Sequence, residues 1–446
     1  MDEQTSSLKK EAWTYALILV AVVALGIVVA GLLEPRPEPD LTTAPTTSTA
    51  ESGLDEPATP EPVDIVEEPV DPAKDIPGCA TVEAPSPGTY SAFSSMAEES
   101  YDNLKFPWFS GPKATAMSNA VADLLPSGAV VEFASPARSL VFQPITDFGD
   151  SDSAPDGYTY ASGSLVNEDA QGSLFVQVQQ RSAPIPPCVA DVLDERRTMP
   201  DGVVVDVHDT WREVDGVRSL SRTARAYVAD GSWISASAYD QVGPTQVENS
   251  GKIPLSIDDL VRIVADPRLR VSTAVPPGTP APSEGCRGGS FETSGPAITR
   301  EQVDRLDTVL ATIDLGDVRL KPLQLSEYSN DTVCTDGADA TTTARLDVSI
   351  TGGQPLPTPE RPVPGSGGQA TLRALDDGTV VQTDRSFQSV SSSESSEDAG
   401  TETTISVVVT RPEGTQISVS SSAAATADVL SADALESIAL TPGLEL

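Results

Sequence analysis

The feature that most constrains the fold of this chain is an internal repeat at a constant offset. Residues 255–260 (LSIDDL) reappear as residues 430–435 (LSADAL), and the register continues without a gap to Pro267 and Pro442. A serine before the apolar run and a proline after it are typical start and stop signals of a helix. The sequence therefore predicts the same amphipathic helix twice.

The strands that precede this helix are repeated as well. Each copy contains two alternating runs joined by a glycine-containing turn, a pattern that favours a β-hairpin. A strand that opens with Asp-Gly lies before each hairpin, and a helix candidate lies near the start of each copy. The hairpins are 221–239 and 403–420, the opening strands begin at 201 and 377, and the helix candidates are 114–125 and 300–313.

This order of elements predicts an α+β protein with two tandem, related domains, 79–271 and 286–446. Each is expected to be an antiparallel sheet with flanking helices, because that arrangement suits short connections and strands of period two. Residues 272–285 are rich in Pro and Gly and are predicted to be a linker. We infer duplication, since the match extends beyond the closing helix.

A single membrane segment is predicted near the start of the chain. Residues 12–33 are apolar, uncharged and free of proline, and a spanning helix needs about 20 such residues. Lys9 and Lys10 precede this segment. The positive-inside rule then places the tail 1–11 in the cytoplasm and the later residues outside the cell membrane.

A cleaved signal peptide is the alternative interpretation of the same segment. Val28 and Ala30 are small enough to form a cleavage site. The apolar run, however, is longer than the usual signal-peptide core of about 7–15 residues. We therefore expect a retained, single-pass anchor.

Residues 34–78 are rich in Pro, Thr and Glu and contain no aromatic residue. Such a segment buries too little apolar surface to offset the loss of chain entropy on folding. We predict a disordered, extended stalk that separates the membrane from the domains.

The four cysteines are Cys79, Cys188, Cys286 and Cys334, and four cysteines allow three pairings. Disulfides are permitted outside the cytoplasm. Pairing Cys79 with Cys188 and Cys286 with Cys334 gives one bridge in each domain. Free, reactive thiols are the alternative.

The charge balance excludes one class of partner. The chain has 28 Lys and Arg against 66 Asp and Glu, a net charge of −38. Nucleic-acid binding needs basic patches that neutralise phosphates, so no nucleic-acid partner is expected. No cofactor is predicted either.

No catalytic or metal-binding set stands out among the remaining polar residues. His208 is the single histidine and is expected to be a solvated residue at a strand end. Ser250 and Lys252 lack the spacing of a Ser/Lys dyad. The acidic run 150–156 fails the spacing of an EF-hand calcium loop. Arg196 and Arg197 are expected on a solvated turn.

An aromatic cluster, Phe106, Trp108 and Phe109, has no counterpart in the second copy. An exposed cluster of this kind would bind sugar, peptide or lipid. More often such a cluster closes the edge of a core, and this is the interpretation that we favour. The cluster is the candidate binding site that the sequence offers.

These observations predict a membrane-anchored, extracytoplasmic protein of the bacterial cell envelope that binds a protein, glycan or lipid and has no enzymatic activity. The alternative is a carboxylate-based hydrolase of envelope polymers, which would need two carboxylates about 5–10 Å apart. A signalling receptor is disfavoured, because the tail 1–11 is too short for an output domain.

Overall fold

The computed structural model describes most of the chain from Asp64 onward, and these residues form two large antiparallel sheets with few helices. The prediction of antiparallel sheets is confirmed. The predicted tail, the membrane segment and most of the stalk lie outside the described residues. The described ranges are 64–71, 73–85, 98–147, 157–241, 249–283, 285–286, 288, 295–339, 344–358, 370–390, 400–424 and 429–446.

Within these ranges, no helix has the length and apolar character needed to cross a membrane.

The first half of the described chain contains two helices and twelve strands. The helices are α1 (Gly111–Leu124) and α2 (Ile257–Ala265). The strands are β1 (Ile65–Glu67), β2 (Val82–Glu83), β3 (Glu98–Ser100), β4 (Val130–Val131), β5 (Ile145–Asp147), β6 (Tyr158–Asn167), β7 (Ala170–Gln180), β8 (Cys188–Val189), β9 (Glu195–Thr198), β10 (Val204–Val214), β11 (Val217–Tyr227) and β12 (Ser232–Tyr239).

The second half contributes two helices and eight strands among the described residues. The helices are α3 (Arg300–Leu310) and α4 (Ala432–Ala439). The strands are β13 (Val318–Leu320), β14 (Gln324–Leu325), β15 (Thr332–Asp339), β16 (Arg345–Thr351), β17 (Thr371–Ala374), β18 (Val380–Val390), β19 (Gly400–Thr410) and β20 (Gln416–Ala424).

The two sheets have the same arrangement of central strands. The first sheet has the order β1-β10-β11-β12-β7-β6-β5-β3, and the second has the order β13-β15-β16-β20-β19-β18-β17. The run β10-β11-β12-β7-β6 thus matches β18-β19-β20-β16-β15, strand for strand. Helix α2 packs on β10, β11 and β12, and α4 packs on β19 and β20.

The closing helices begin as their sequences predict. The hydroxyl of Ser256 accepts the N–H of Asp259, whose carboxylate accepts the N–H of Ser256, so this helix has a full capping box. The hydroxyl of Ser431 caps α4 by accepting the N–H of Ala434, without a reciprocal bond. Leu260 and Leu435 are equivalent in the two helices, and both are fully buried.

Small side chains on one face of the first sheet allow its helices to approach closely. Alternate residues of β11 and β12 point to this face, and these are Ala224, Ala226, Ala236 and Ala238, all buried. The core of the second sheet uses larger residues at such positions. It is built from branched residues, including Val348, Ile350, Val407, Val409, Ile417 and Val419.

The structure describes the last residues of the predicted stalk. Residues 65–67 form β1, an edge strand that pairs antiparallel with Arg212–Val214 of β10. Ile76 is buried against the Cys79–Cys188 bridge. The described residues between 64 and 78 therefore belong to the folded part. Their few apolar residues suffice because the sheet edge supplies backbone hydrogen bonds.

Both disulfides are present, joining Cys79 to Cys188 and Cys286 to Cys334. This confirms the predicted disulfide bonds and leaves no free cysteine. Each bridge closes a loop of many residues, so each is expected to stabilise the fold by a few kcal/mol, about 2–4. The first bridge closes 109 residues and the second 48.

One buried lysine joins the first helix to the end of the first half. Lys113 of α1 is only 2% exposed. Its ammonium donates to the carbonyl oxygen of Arg270 at 2.8 Å and to that of Thr273. Burial lowers the pKa of Lys113 from 10.5 to about 8, and Asp230 opposes this effect.

The titration of Lys113 predicts a rise in stability with pH. Because its pKa is lowered in the folded state, the unfolded chain binds more protons between about pH 8 and 10.5, so the free energy of unfolding increases across this window. The expected gain is about 1–3 kcal/mol, since one pKa unit corresponds to about 1.4 kcal/mol. Urea unfolding of residues 63–446 at pH 7.5 and 10 measures this gain, and Lys113→Met should abolish it. An equal gain in the variant would contradict the assignment.

The prediction of two domains is tested by two equivalent variants, Leu260→Ala and Leu435→Ala. Each removes a fully buried leucine, which costs about 2–5 kcal/mol. All tryptophans after residue 33 lie before residue 272, at 108, 211 and 233. Tryptophan fluorescence therefore follows the first domain, whereas circular dichroism follows both. Leu260→Ala should lower the fluorescence midpoint in urea, and Leu435→Ala should leave it unchanged. Equal shifts by both variants would show one cooperative domain.

Candidate functional site: an aromatic sheet face and two adjoining cavities

The first sheet carries aromatic side chains on the face opposite its helices. Successive residues of a strand point to opposite faces. The residues that alternate with the buried alanines and valines therefore point away from α1 and α2. Six of them are aromatic and partly exposed: Tyr158, Tyr160, Phe175, Tyr227, Trp233 and Tyr239. We call this surface the aromatic face.

The rings lie in neighbouring rows of four adjacent strands. Tyr227 of β11 lies opposite Trp233 of β12, and Trp233 lies opposite Gln179 of β7. Gln179 in turn lies opposite Tyr158 of β6. Since adjacent strands are about 4.8 Å apart, this row extends over roughly 14 Å.

The rings nearest β6 are in mutual contact. Tyr160 stacks on Phe175 with 5.4 Å between ring centres and 21° between the planes. Tyr158 lies 6.3 Å from Tyr160 in a tilted arrangement. Gln177 lies between these rings and Trp233, and its amide approaches the side-chain oxygen of Gln179 at 3.4 Å. The face therefore alternates flat apolar rings with amide groups.

The β10 end of the aromatic face is closed by the segment between β7 and β10. Arg196 of β9 makes a bidentate ion pair with buried Asp206, at 2.6 and 2.8 Å, and donates to the carbonyl of Pro186. Arg225 donates to the carbonyl of Val192. The Cys79–Cys188 bridge holds this segment in place.

Arg196 and Arg197 lie in an edge strand and not on a solvated turn, which corrects the sequence prediction. Arg196 pairs with buried Asp206, and Arg197 lies 2.7 Å from Asp258. Neither arginine contributes a basic patch for a ligand.

A cavity of about 250 Å³ lies at one end of the aromatic face, lined by Tyr227, Trp233 and the segment around Ile185. A second cavity, of about 470 Å³, lies at the other end. Tyr160 and Gln143 line it from the first half of the described chain, and Glu327 lines it from the second half. We call this second space the linker cavity, because residues 283 and 285 of the predicted linker form part of its wall.

A third cavity, of about 440 Å³, adjoins the linker cavity at Gly285, which lines both. It lies on the helix-free face of the second sheet, and we call it the aspartate cavity. Asp336 and Asp347 are directly opposite each other across β15 and β16. Ser418, Ser420 and the Cys286–Cys334 bridge form other parts of the wall.

The two carboxyl groups of the aspartate cavity have different surroundings. Burial raises the pKa of Asp347; Arg345 opposes this shift, whereas Asp336 and Glu402 add to it. Asp336 lies 3.0 Å from the ammonium of Lys321 and 3.9 Å from the guanidinium of Arg345. Asp347 thus retains its proton more readily than an ordinary aspartate, whereas Asp336 is paired with two cations.

The aromatic cluster singled out in the sequence lies at the edge of the first core. Phe109 is buried, and Trp108 and Phe106 are partly buried and pack against the same core. Phe106 fits over Gly157, where a Cβ atom would come within 2.3 Å of its ring. Tyr101 stacks on Phe109 at 6.1 Å. In this structure the cluster closes the core rather than presenting three exposed rings.

His208 and Ser250 have structural partners. His208 Nδ1 lies 3.2 Å from Asp194, and the same carboxylate accepts from Lys74 and from the N–H of Asp209. Burial alone would raise the pKa of Asp194, but these hydrogen bonds hold it below its ordinary value. The hydroxyl of Ser250 donates to the carbonyls of Gln171 and Lys252.

Across the part of the chain that the structure describes, no three His, Cys, Asp or Glu side chains are grouped as ligands for a metal ion. The acidic run 150–156 lies outside the described residues.

No protein-family model matches the chain, and neither does any curated protein or solved structure.

The aromatic face is not among the sites predicted from the sequence, although the chain does contain a signal for it. Tyr158 and Tyr160 are two residues apart in an alternating strand, so their side chains share one face. Phe175, Tyr227 and Trp233 each alternate with buried Val, Ala or Ile. Which of these strands are neighbours depends on the sheet order, and no local pattern specifies it.

The shifted titration of Asp347 predicts a stabilising variant. Because its pKa is raised in the folded state, Asp347 weakens the fold as pH rises above the ordinary aspartate range. Asp347→Asn should therefore raise the urea midpoint of residues 63–446 at pH 7, and the gain should shrink at pH 3.5. Asp336→Asn is the matched control, and it should bring no gain because it removes two ion pairs. A gain for Asp347→Asn that does not depend on pH would contradict this account.

Proposed function

We propose that this chain is a non-enzymatic binding protein of the bacterial cell envelope. Residues 12–33 anchor it in the cytoplasmic membrane as a single-pass helix, the stalk spaces it from the bilayer, and both sheets lie outside the cytoplasm. The two disulfides support an extracytoplasmic location, because such bonds persist in oxidising compartments. The matching strand orders support two tandem domains that arose by duplication.

The aromatic face supports a saccharide as the ligand. Sugar rings present apolar C–H faces and polar rims, and aromatic side chains interleaved with amides complement both. The face offers Tyr160, Phe175 and Trp233 for stacking and Gln177 and Gln179 for hydrogen bonds. The row of about 14 Å, with a cavity at each end, suits an extended chain rather than a single sugar.

The charge of the protein favours a neutral saccharide over an anionic polymer. The net charge of −38 repels polyanions. Two of the cations beside the aromatic face, Arg196 and Arg225, are hydrogen-bonded to Asp206 and to the carbonyl of Val192. A third, Arg181, lines the cavity next to Trp233. Asp336, Asp347 and Glu327 line the cavities further along. The observation that carries the proposal is the stacked Tyr160–Phe175 pair beside the linker cavity.

The test is binding of residues 63–446 to neutral envelope polysaccharides, measured by isothermal titration calorimetry. Trp233→Ala should weaken binding about tenfold, since the loss of about 1.4 kcal/mol changes affinity by that factor. Trp211→Ala is the matched control, because Trp211 lies in the same sheet and points to the opposite face. Equal effects of the two variants, or no binding by the unmodified protein, would contradict the proposal.

A second candidate function is supported by the aspartate cavity. Asp336 and Asp347 lie on opposing positions of adjacent strands, where Cβ atoms are about 4.5–5.5 Å apart. Burial gives Asp347 the character of a proton donor, and carboxylate-based hydrolases use such a pair. New reducing ends in the polysaccharide, lost in Asp347→Asn, would favour this alternative over binding alone.

A further inference from the structure

One edge of the second sheet is uncovered over a stretch where the equivalent edge of the first sheet is paired with another strand. In the first sheet, β9 pairs with Val204–Val207 of β10 and β1 pairs with Arg212–Val214. In the second sheet, β17 pairs with Val380–Thr383 of β18. Among the described residues, no strand pairs with the same side of β18 beyond Thr383.

Backbone groups of this uncovered stretch point outward. The N–H of Leu375 donates to the carbonyl of Thr379 across the β17–β18 turn. Every second residue from Thr379 along β18 therefore directs its N–H and C=O to this edge. Arg385 and Phe387 are such residues. A free edge of this kind is a template for strand addition.

The side chains at this edge are also suited to a partner. Phe387 is 64% exposed, the most exposed aromatic residue of the described second half. Arg385 is exposed, and its guanidinium lies 5.4 Å from the ring of Phe387. The edge thus combines an apolar ring with a cation in a strongly acidic chain.

A carboxylate and two exposed apolar residues are found at another edge strand of the described chain, β1. Ile65 and Val66 are 47% and 44% exposed. Glu67 is also exposed and lies 3.9 Å from Arg212 in a solvent-accessible pair. β1 is the terminal strand of the first sheet, so its outer side has no strand partner among the described residues. Two apolar residues and a carboxylate complement Phe387 and Arg385.

We propose that β18 of one copy pairs antiparallel with β1 of a second copy, so that neighbouring molecules share one continuous sheet. Main-chain hydrogen bonds form at Arg385 and Phe387, Glu67 of the second copy pairs with Arg385, and Ile65 covers Phe387. Because the two edges differ, the contact is heterologous and builds open-ended chains rather than a closed dimer. This association is independent of saccharide binding.

The test is the mass of the full chain in detergent over a range of concentrations, by sedimentation equilibrium. The unmodified chain should exceed the mass of a dimer as concentration rises. Phe387→Pro removes both the ring and the outward N–H, and it should weaken association at least tenfold. Phe387→Ala removes only the ring and should retain more of the association than Phe387→Pro. A monomeric unmodified chain, or equal association of the proline variant, would overturn the proposal.

A charge exchange tests the same contact without altering the backbone. Glu67→Arg and Arg385→Glu should each weaken association at least tenfold, and the double variant should recover most of it. Association through the membrane segment would respond to none of these changes. Such insensitivity, or a double variant as weak as the single ones, would overturn the proposal.

Discussion

The two open sheet faces described above depend on the packing of helices against one side of each sheet. An antiparallel sheet exposes two faces, and its strands alternate between them. In both sheets the helices cover one face, and that face carries the buried Val, Ile, Leu and Ala. The other face is free to carry residues that the core does not need. That freedom allows the aromatic face and the aspartate cavity to exist on the same scaffold.

The open faces of the two sheets carry different residues. His208, Thr223, Ser237 and Phe175 lie in one row across the first sheet. The equivalent row of the second sheet contains Asp384, Ser406, Ser420 and Asp347. The inward residues remain apolar in both sheets. Two sheets of matching strand order thus share an apolar inner face and differ on the open face.

Each disulfide holds a chain segment next to one of these open faces. Cys188 holds the segment that closes the β10 end of the aromatic face. Cys334 lies on the helix-free face of β15 and joins it to Cys286, just after the linker. Each bridge therefore links a segment without regular secondary structure to the helix-free face of a sheet. This placement gives each cavity one wall that is held covalently.

The parts of the fold that depend on local patterns could be predicted from the sequence. Ser256 and Ser431 cap helices because a hydroxyl satisfies a backbone donor a few residues away. The hairpin at Asp230-Gly231 is equally local. The strand order, the stalk boundary and the aromatic face are not local. β1 becomes a strand only because the edge of β10 accepts it, and Tyr160 joins Phe175 only because β6 and β7 are neighbours.

The most direct test of the central claim is hydroxyl-radical footprinting of aromatic side chains, with and without a neutral envelope polysaccharide. The account predicts that oxidation of Tyr158, Tyr160, Phe175 and Trp233 falls when the polysaccharide is added, whereas oxidation of Trp211, on the opposite face of the same sheet, is unchanged. Protection of Trp211 or of Phe106 and Trp108, with Tyr160 and Trp233 still oxidised at their original rates, would contradict it.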